Sequence, residues 1–107
     1  MKLAQKQCVP CRGRLPRLDH AKARELLTQL SGWKISKDRK WLNKSYKFKN
    51  FAEALTFVNK VGKIAEKEGH HPDIRFGWGY VGIGLQTHAI GGLHENDFIL
   101  AAKIDSL

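Results

Sequence analysis

The chain of 107 residues has two cysteines, three prolines and one methionine. No apolar run approaches the roughly 20 residues a membrane helix needs. Each shortage excludes something. Cys8 and Cys11, in Cys8-Val9-Pro10-Cys11, supply two ligands where a four-ligand zinc site needs two more. A thioredoxin-like redox pair belongs at a strand-to-helix junction inside a βαβ pattern, which is absent. The segment therefore reads as a terminal arm with two free thiols; zinc held by Cys8, Cys11 and a histidine is the weaker alternative. The basic N-terminus has no apolar stretch behind it, so it does not resemble a secretory leader, and the cytoplasm is the expected location. Internal repeats and low-complexity tracts are missing, and the length suits a single domain with one modest core.

What is present is an ordinary globular composition, 42% apolar and 27% charged. The net charge of +9 is uneven: residues 1–49 hold 14 Lys and Arg against 3 Asp and Glu, and residues 50–107 hold 5 against 7. A basic half can contact a polyanion. Without the aromatic–basic interleaving of a nucleic-acid module, it reads as a solvated surface, and no nucleic-acid partner is expected.

Residues 1–17 hold two of the three prolines and read as an irregular basic arm; residues 18–107 read as the domain. Asp19 suits an N-cap, with Ala23, Leu26, Leu27 and Leu30 as an apolar stripe and Gly32 as the stop. Trp33, Ile35, Leu42, Tyr46 and Phe48 alternate across an Asp38-Arg39 turn, with Lys44 breaking the pattern, and predict a hairpin. Asn50 caps a helix of about five turns with Glu53 at its third position. Phe51, Leu55, Val58 and Ala65 form its expected core row, flanked by Phe57, Val61 and Ile64. Gly69 ends it. Ile74, Phe76 and Trp78, then Val81, Ile83 and Leu85, predict a second hairpin with Gly79-Tyr80 as its loop. Gly82 and Gly84 inside the strand suggest close approach of another backbone. After Gly91-Gly92, Leu93 and Phe98 bracket a last helix as a hydrophobic staple, His94 at the N-cap and Asp97 at the third position. The expected fold is α+β: a four-stranded antiparallel sheet with three helices on one face, in the order α-β-β-α-β-β-α.

Chemistry concentrates in Glu66-Lys67-Glu68-Gly69-His70-His71-Pro72, Thr87-His88 and Asp97. Histidine's unperturbed pKa of about 6.5 lies nearest neutrality, so three imidazoles brought together would form a proton-handling pocket. His70 and His71 are adjacent, and in extended chain they point to opposite sides. One is expected to face a leaving group and the other to grip or deprotonate the ligand, with His88 closing the pocket. Asp97 could fix an imidazole tautomer or only cap its own helix. Glu66 could polarise His70 at i+4 or be solvated. Trp78 could line the pocket or belong to the core. His20 and His94 read as surface and cap residues.

Glu66, three residues, His70-His71-Pro72, five residues, Trp78, nine residues, His88, eight residues and Asp97 together resemble the signature of the pterin-4a-carbinolamine dehydratases. Gly32-Trp33, Tyr46-Lys47-Phe48-Lys49-Asn50-Phe51, Thr87-His88, Gly92-Leu93 and Asp97-Phe98 extend the likeness over roughly residues 18–105. Cys8-Val9-Pro10-Cys11-Arg12-Gly13 resembles the leader of some bacterial members. The resemblance implies loss of water from 4a-hydroxytetrahydropterin to give quinonoid dihydropterin, a lyase reaction that recycles a pterin. The pterin is substrate; no cofactor or metal is implied. It also implies homodimers that join sheets, and often homotetramers. By match, His70, His71 and His88 serve the pterin and its proton transfers, and Gly69, Gln86 and Thr87 lie against it. Many relatives carry an acidic residue where this chain has Gly69, so that side chain's role is absent here. His71 or His88 is the expected general acid and His70 the ring contact.

Two rivals remain at this point. Three histidines and Asp97 could bind zinc, but no His-x-x-x-His helix face supports it. The domain could also be a non-catalytic interaction protein, since some members bind and stabilise dimeric transcription factors.

Overall fold

The computed structural model describes residues 2–10 and 17–107; Cys11 and the basic Arg12-Gly13-Arg14 lie outside the described residues. The elements are α1 (His20–Leu27), β1 (Lys34–Ile35), β2 (Leu42–Lys47), α2 (Phe51–Glu68), β3 (Asp73–Gly77), β4 (Tyr80–Leu85) and α3 (Glu95–Asp105), with 3-10 turns at Leu3–Gln5 and His88–Ile90. The sheet is antiparallel in the order β1-β2-β4-β3, so the two hairpins join through their second strands. Leu42 faces Leu85 and Tyr46 faces Val81 across that central seam. This is the expected α+β architecture.

Caps set the helix starts. The Asp19 side chain accepts from Lys22 N–H at 2.8 Å, and Asn50 accepts from Glu53 N–H at 2.9 Å. Glu53 reaches back to Lys49 N–H at 3.0 Å, one residue before the cap. α1 stops at Leu27 with Thr28 as its C-cap, earlier than the stripe to Leu30 suggests, and Gly32 (φ 80°) serves the following turn. Gly69 ends α2 in the left-handed conformation, φ 65°.

Three sequence expectations are corrected. The buried face of α2 is Ala54, Val61 and Ala65, with Phe57, Val58 and Ile64 at its flanks. Phe51 (47% exposed) and Leu55 (40%) fall outside it, because α2 carries more apolar residues than one face can bury. Phe51 instead packs on Phe76, centroids 5.4 Å apart. Trp78 leaves strand parity: Gly77 pairs with Tyr80, making Trp78-Gly79 the two-residue loop, and the indole is 73% exposed. The positive φ falls on Gly79 (81°), the second loop position. Finally, the close approach of another backbone expected at Gly82 and Gly84 holds only in part: over Gly82 a Cβ would meet the Arg75 carbonyl oxygen at 3.6 Å, but over Gly84 the nearest atoms belong to side chains. A Cβ there would meet Asn43 Oδ1 at 3.1 Å and the Trp41 ring at 3.4 Å, so side chains lie across it.

Lys44, which interrupts the apolar alternation, shares the inward parity of Leu42 and Tyr46. Its Nζ donates to Asp105 Oδ1 at 2.8 Å and to Ser31 C=O at 2.7 Å. The same carboxylate accepts from Tyr46 OH at 2.7 Å and Trp33 Nε1 at 2.9 Å. A cation placed under the helices thus finds the pairing that burial demands. Residues 2–10, read from sequence as irregular, cross α3, and Leu3 is buried in the core cluster.

Candidate active site

The site forms where α2 ends and α3 begins. Gly69 turns the chain out of α2, and His70 N–H still donates to Ala65 C=O at 3.2 Å, so the next side chain is directed inward. The His70 ring is buried, and its Nε2 lies 2.6 Å from Asp97 Oδ1. Asp97 is fully buried. Its other oxygen, Oδ2, accepts from Thr87 Oγ1 at 2.8 Å and from His94 N–H at 3.0 Å. One carboxylate therefore joins the end of α2, the segment after β4 and the start of α3. With Oδ2 already taking two donors, Oδ1 is left as the acceptor for a proton on His70 Nε2, a pairing that in the neutral tautomer puts the ring's lone pair on Nδ1.

Asp97 therefore both bonds an imidazole and caps its own helix, so the reading in which it only caps the helix is set aside. His94 caps α3 through Nδ1, which accepts from Asn96 N–H at 3.1 Å, and Asp97 completes the capping box.

His71 turns outward. Its Nε2 lies 2.5 Å from Glu66 Oε2, and both side chains are exposed. The carboxylate expected to polarise His70 at i+4 serves His71 instead, because the left-handed Gly69 breaks the helical phase between them. His88 lies in the 3-10 turn after β4, exposed, its ring edge-on to Trp41 with centroids 5.9 Å apart. Gly92 is paired with Thr87, which precedes His88; that bridge closes the turn. Each imidazole thus has a different partner: Asp97, Glu66 or Trp41. Thr87, next to His88, shares the carboxylate that holds His70, so the two histidine-bearing segments are tied together through Asp97. Gln86 is half-buried at the end of β4, Gly69 lies at the turn into His70, and Trp78 sits apart at the hairpin tip. The sequence reading missed Trp41, whose single aromatic carried no spacing signal, and the Thr87–Asp97 bond, which bridges ten residues.

Among the described residues no group of His, Cys, Asp and Glu is arranged to hold a metal ion. Cys8 is a free thiol. No helix among them is long and apolar enough to cross a membrane.

The small α+β domain thus carries a buried imidazole–carboxylate pair, an exposed imidazole on the next residue, and a third imidazole one residue after the threonine that shares the carboxylate. The family model for pterin 4 alpha carbinolamine dehydratase matches residues 16–107. A relative in Halorhodospira halophila that carries the pterin-4-alpha-carbinolamine dehydratase name is 50% identical over 107 residues, covering 100% of this chain and 98% of its own. One of the same name in Rubrobacter xylanophilus is 51% identical over 105 residues, covering 98% and 97%. The crystal structure of a transcriptional coactivator/pterin dehydratase from Brucella melitensis superposes with a TM-score of 0.80 at 33% identity, covering 85% of this chain and 97% of that one. A pterin dehydratase-like RuBisCO assembly factor of the alpha-carboxysome superposes with a TM-score of 0.62 at 28% identity, covering 71% and 88%. The chain belongs to the pterin-4a-carbinolamine dehydratase family, whose enzymes are hydro-lyases.

Proposed function

We propose that this protein removes water from a 4a-hydroxytetrahydropterin by histidine acid–base catalysis. The observation that carries the reading is the Asp97 carboxylate, which fixes His70 while binding the segment that bears His88. The reaction breaks the C4a–O bond and forms a C=N bond. The leaving hydroxyl must gain a proton, and a ring nitrogen must lose one.

His70 is suited to the ring. With Nε2 donating to Asp97, the lone pair on Nδ1 is available to accept the ring N–H proton, and the imidazolium that results keeps a carboxylate partner. His71 and His88 are exposed and can reach solvent-borne protons. One of them protonates the hydroxyl, which leaves as water; the proton gained at His70 restores the balance through solvent. Positioned acid and base groups of this kind typically contribute ~10²–10⁴-fold each. Gly69, Gln86 and Thr87 flank these histidines and form the walls of the pterin site. Glu66 acts on His71, and Asp97 on His70.

The test is a spectrophotometric assay with freshly made 4a-hydroxytetrahydropterin. Quinonoid dihydropterin should appear faster than in buffer, at a rate proportional to protein. A rate equal to buffer at micromolar protein would refute the reading.

A second reading has one specific observation behind it: the superposing RuBisCO assembly factor is named for assembly rather than dehydration. On that reading the domain is an interaction protein and its histidines are relics. A folded protein without dehydratase activity would favour it, whereas full activity after removal of His71 and His88 would overturn the histidine mechanism and leave an enzyme.

A further inference from the structure

The N-terminal segment is fastened at two points, and both adjoin the His70–Asp97 pair. Cys8 N–H donates to Glu68 Oε1 at 2.9 Å; Glu68 is the last residue of α2, two before His70. Asn96, immediately before Asp97, grips the backbone of Val9 from both sides. Its Oδ1 accepts from Val9 N–H at 3.0 Å, and its Nδ2 donates to Val9 C=O at 2.7 Å. Asn96 is buried in the first turn of α3. A buried amide is costly unless its donors and acceptors are met, and here the segment meets them.

Further contacts continue along the same line. Leu3 is buried in the core, Lys6 pairs with Glu95 at 3.2 Å, and the Cys8 thiol lies 3.6 Å from Asn96 C=O. Glu68 also receives Lys103 from α3 at 3.3 Å. Burial and the Glu68 carboxylate push the Cys8 thiol up to about 12, so it stays protonated and serves as a donor rather than a nucleophile.

We propose that residues 3–9 form a strap holding the end of α2 against the start of α3, with Asn96 as the positioning residue that keeps Asp97 on His70. The physical need is local. His70 follows a left-handed glycine at a helix end, where chain ends otherwise fray, and its partner sits on a different helix. The strap crosses the same junction as the 2.6 Å His70–Asp97 bond and closes it from outside. Its effect on rate rests on the dehydratase reading; its effect on the imidazole does not.

Two variants that break the grip test it, with Asn96→Asp as a third, intermediate one. Val9→Pro deletes the N–H that Asn96 binds, at a side chain that is half exposed and outside the core. Asn96→Ala deletes both grips. Two measurements are made on each: solvent exchange of the His70 Nε2 proton by nitrogen-15 NMR, and dehydratase kcat and KM. In both variants exchange should accelerate about ten-fold or more and kcat should fall by about ten-fold, with KM within about two-fold. Asn96→Asp, which keeps the acceptor and loses the donor, should fall between. Wild-type exchange and kcat in folded Val9→Pro would overturn the proposal, and that variant decides the matter if Asn96→Ala fails to fold. Accelerated exchange in a protein whose wild type never dehydrates the pterin would uphold the strap and sink the enzymatic reading.

Discussion

His70 Nε2 and Asp97 Oδ1 meet at 2.6 Å across 27 residues of sequence, in a buried site where the other carboxylate oxygen is already taken by Thr87 and His94. That asymmetry makes Asp97→Asn informative. The amide oxygen must occupy the Oδ2 position to receive those two donors, so the amide NH2 faces His70 and forces the ring proton onto Nδ1. The ring then offers the substrate a donor where it needs an acceptor. We expect kcat to fall by about 10²-fold or more with the fold retained, by analogy with tautomer loss in other histidine–carboxylate enzymes. Nitrogen-15 shifts of His70 should report the switched tautomer; an unswitched ring with a normal rate would refute the assignment.

His71→Ala and His88→Ala remove exposed rings and should leave the folded state nearly unchanged. Each should lower dehydratase kcat/KM by about ten-fold or more, within the range of acid–base assistance. The larger kcat loss identifies the general acid. Trp41→Ala, which removes the ring packed on His88, should reproduce part of the His88→Ala defect.

Glu66→Gln distinguishes support from catalysis. Its pair with His71 is exposed, so its stability effect should stay below about 1 kcal/mol. A measured change in the pH profile of kcat with an unchanged melting temperature would mark a role through His71; no change in either would mark Glu66 as a solvated partner.

Asp105→Ala should be the costly substitution away from the site. It strands the donors of Lys44, Tyr46 and Trp33 together under the helices. Loss of one partner from a buried charged network costs about 3–5 kcal/mol, and partial exposure of Lys44 and Asp105 places the expected value near the lower end. Urea unfolding measures it, and a cost below about 1 kcal/mol would show the network to be incidental. Burial, followed by Asp105, holds the Tyr46 phenol well above its ordinary value. A raised folded pKa contributes stability that is full below the unfolded value and lost as pH rises through the folded one, so the contribution of the Tyr46 hydroxyl should be lost in strongly alkaline solution.

Glu68 gives the acid limb. The Cys8 N–H, and after it Lys103, hold its carboxyl below the usual range, against an opposing effect of burial. A depressed folded pKa contributes stability that is present above the unfolded value of about 4.3 and lost as pH falls through the folded one. The stability advantage of wild type over Glu68→Gln should therefore be constant at neutral pH and shrink below that range. Parallel urea titrations from neutral to acid pH would show it, and a pH-independent difference would contradict it.

Much was legible because it was local. Asp19, Asn50 and His94 start helices through side-chain contacts within three residues, and Gly69 ends one through its own φ. The alternation of Val81, Ile83 and Leu85 fixes a core face without knowledge of the neighbour strand. Failures arose where several local solutions were available. Phe51 and Leu55 satisfy helical spacing as well as Ala54 does, yet the sheet selects the face with small residues where the backbone must approach. Trp78 fits strand parity, but a left-handed Gly79 makes it the loop.

The sequence by itself determined the element order, the capping residues and the presence of three imidazoles near two helix ends, because these depend on interactions spanning a few residues. Only the tertiary structure decided that Glu66 serves His71 rather than His70, that Asp97 serves both His70 and Thr87, and that Asn96 grips Val9. Those pairings span several elements, and nothing in residue spacing specifies which of several nearby partners a buried polar atom will meet once the core has closed.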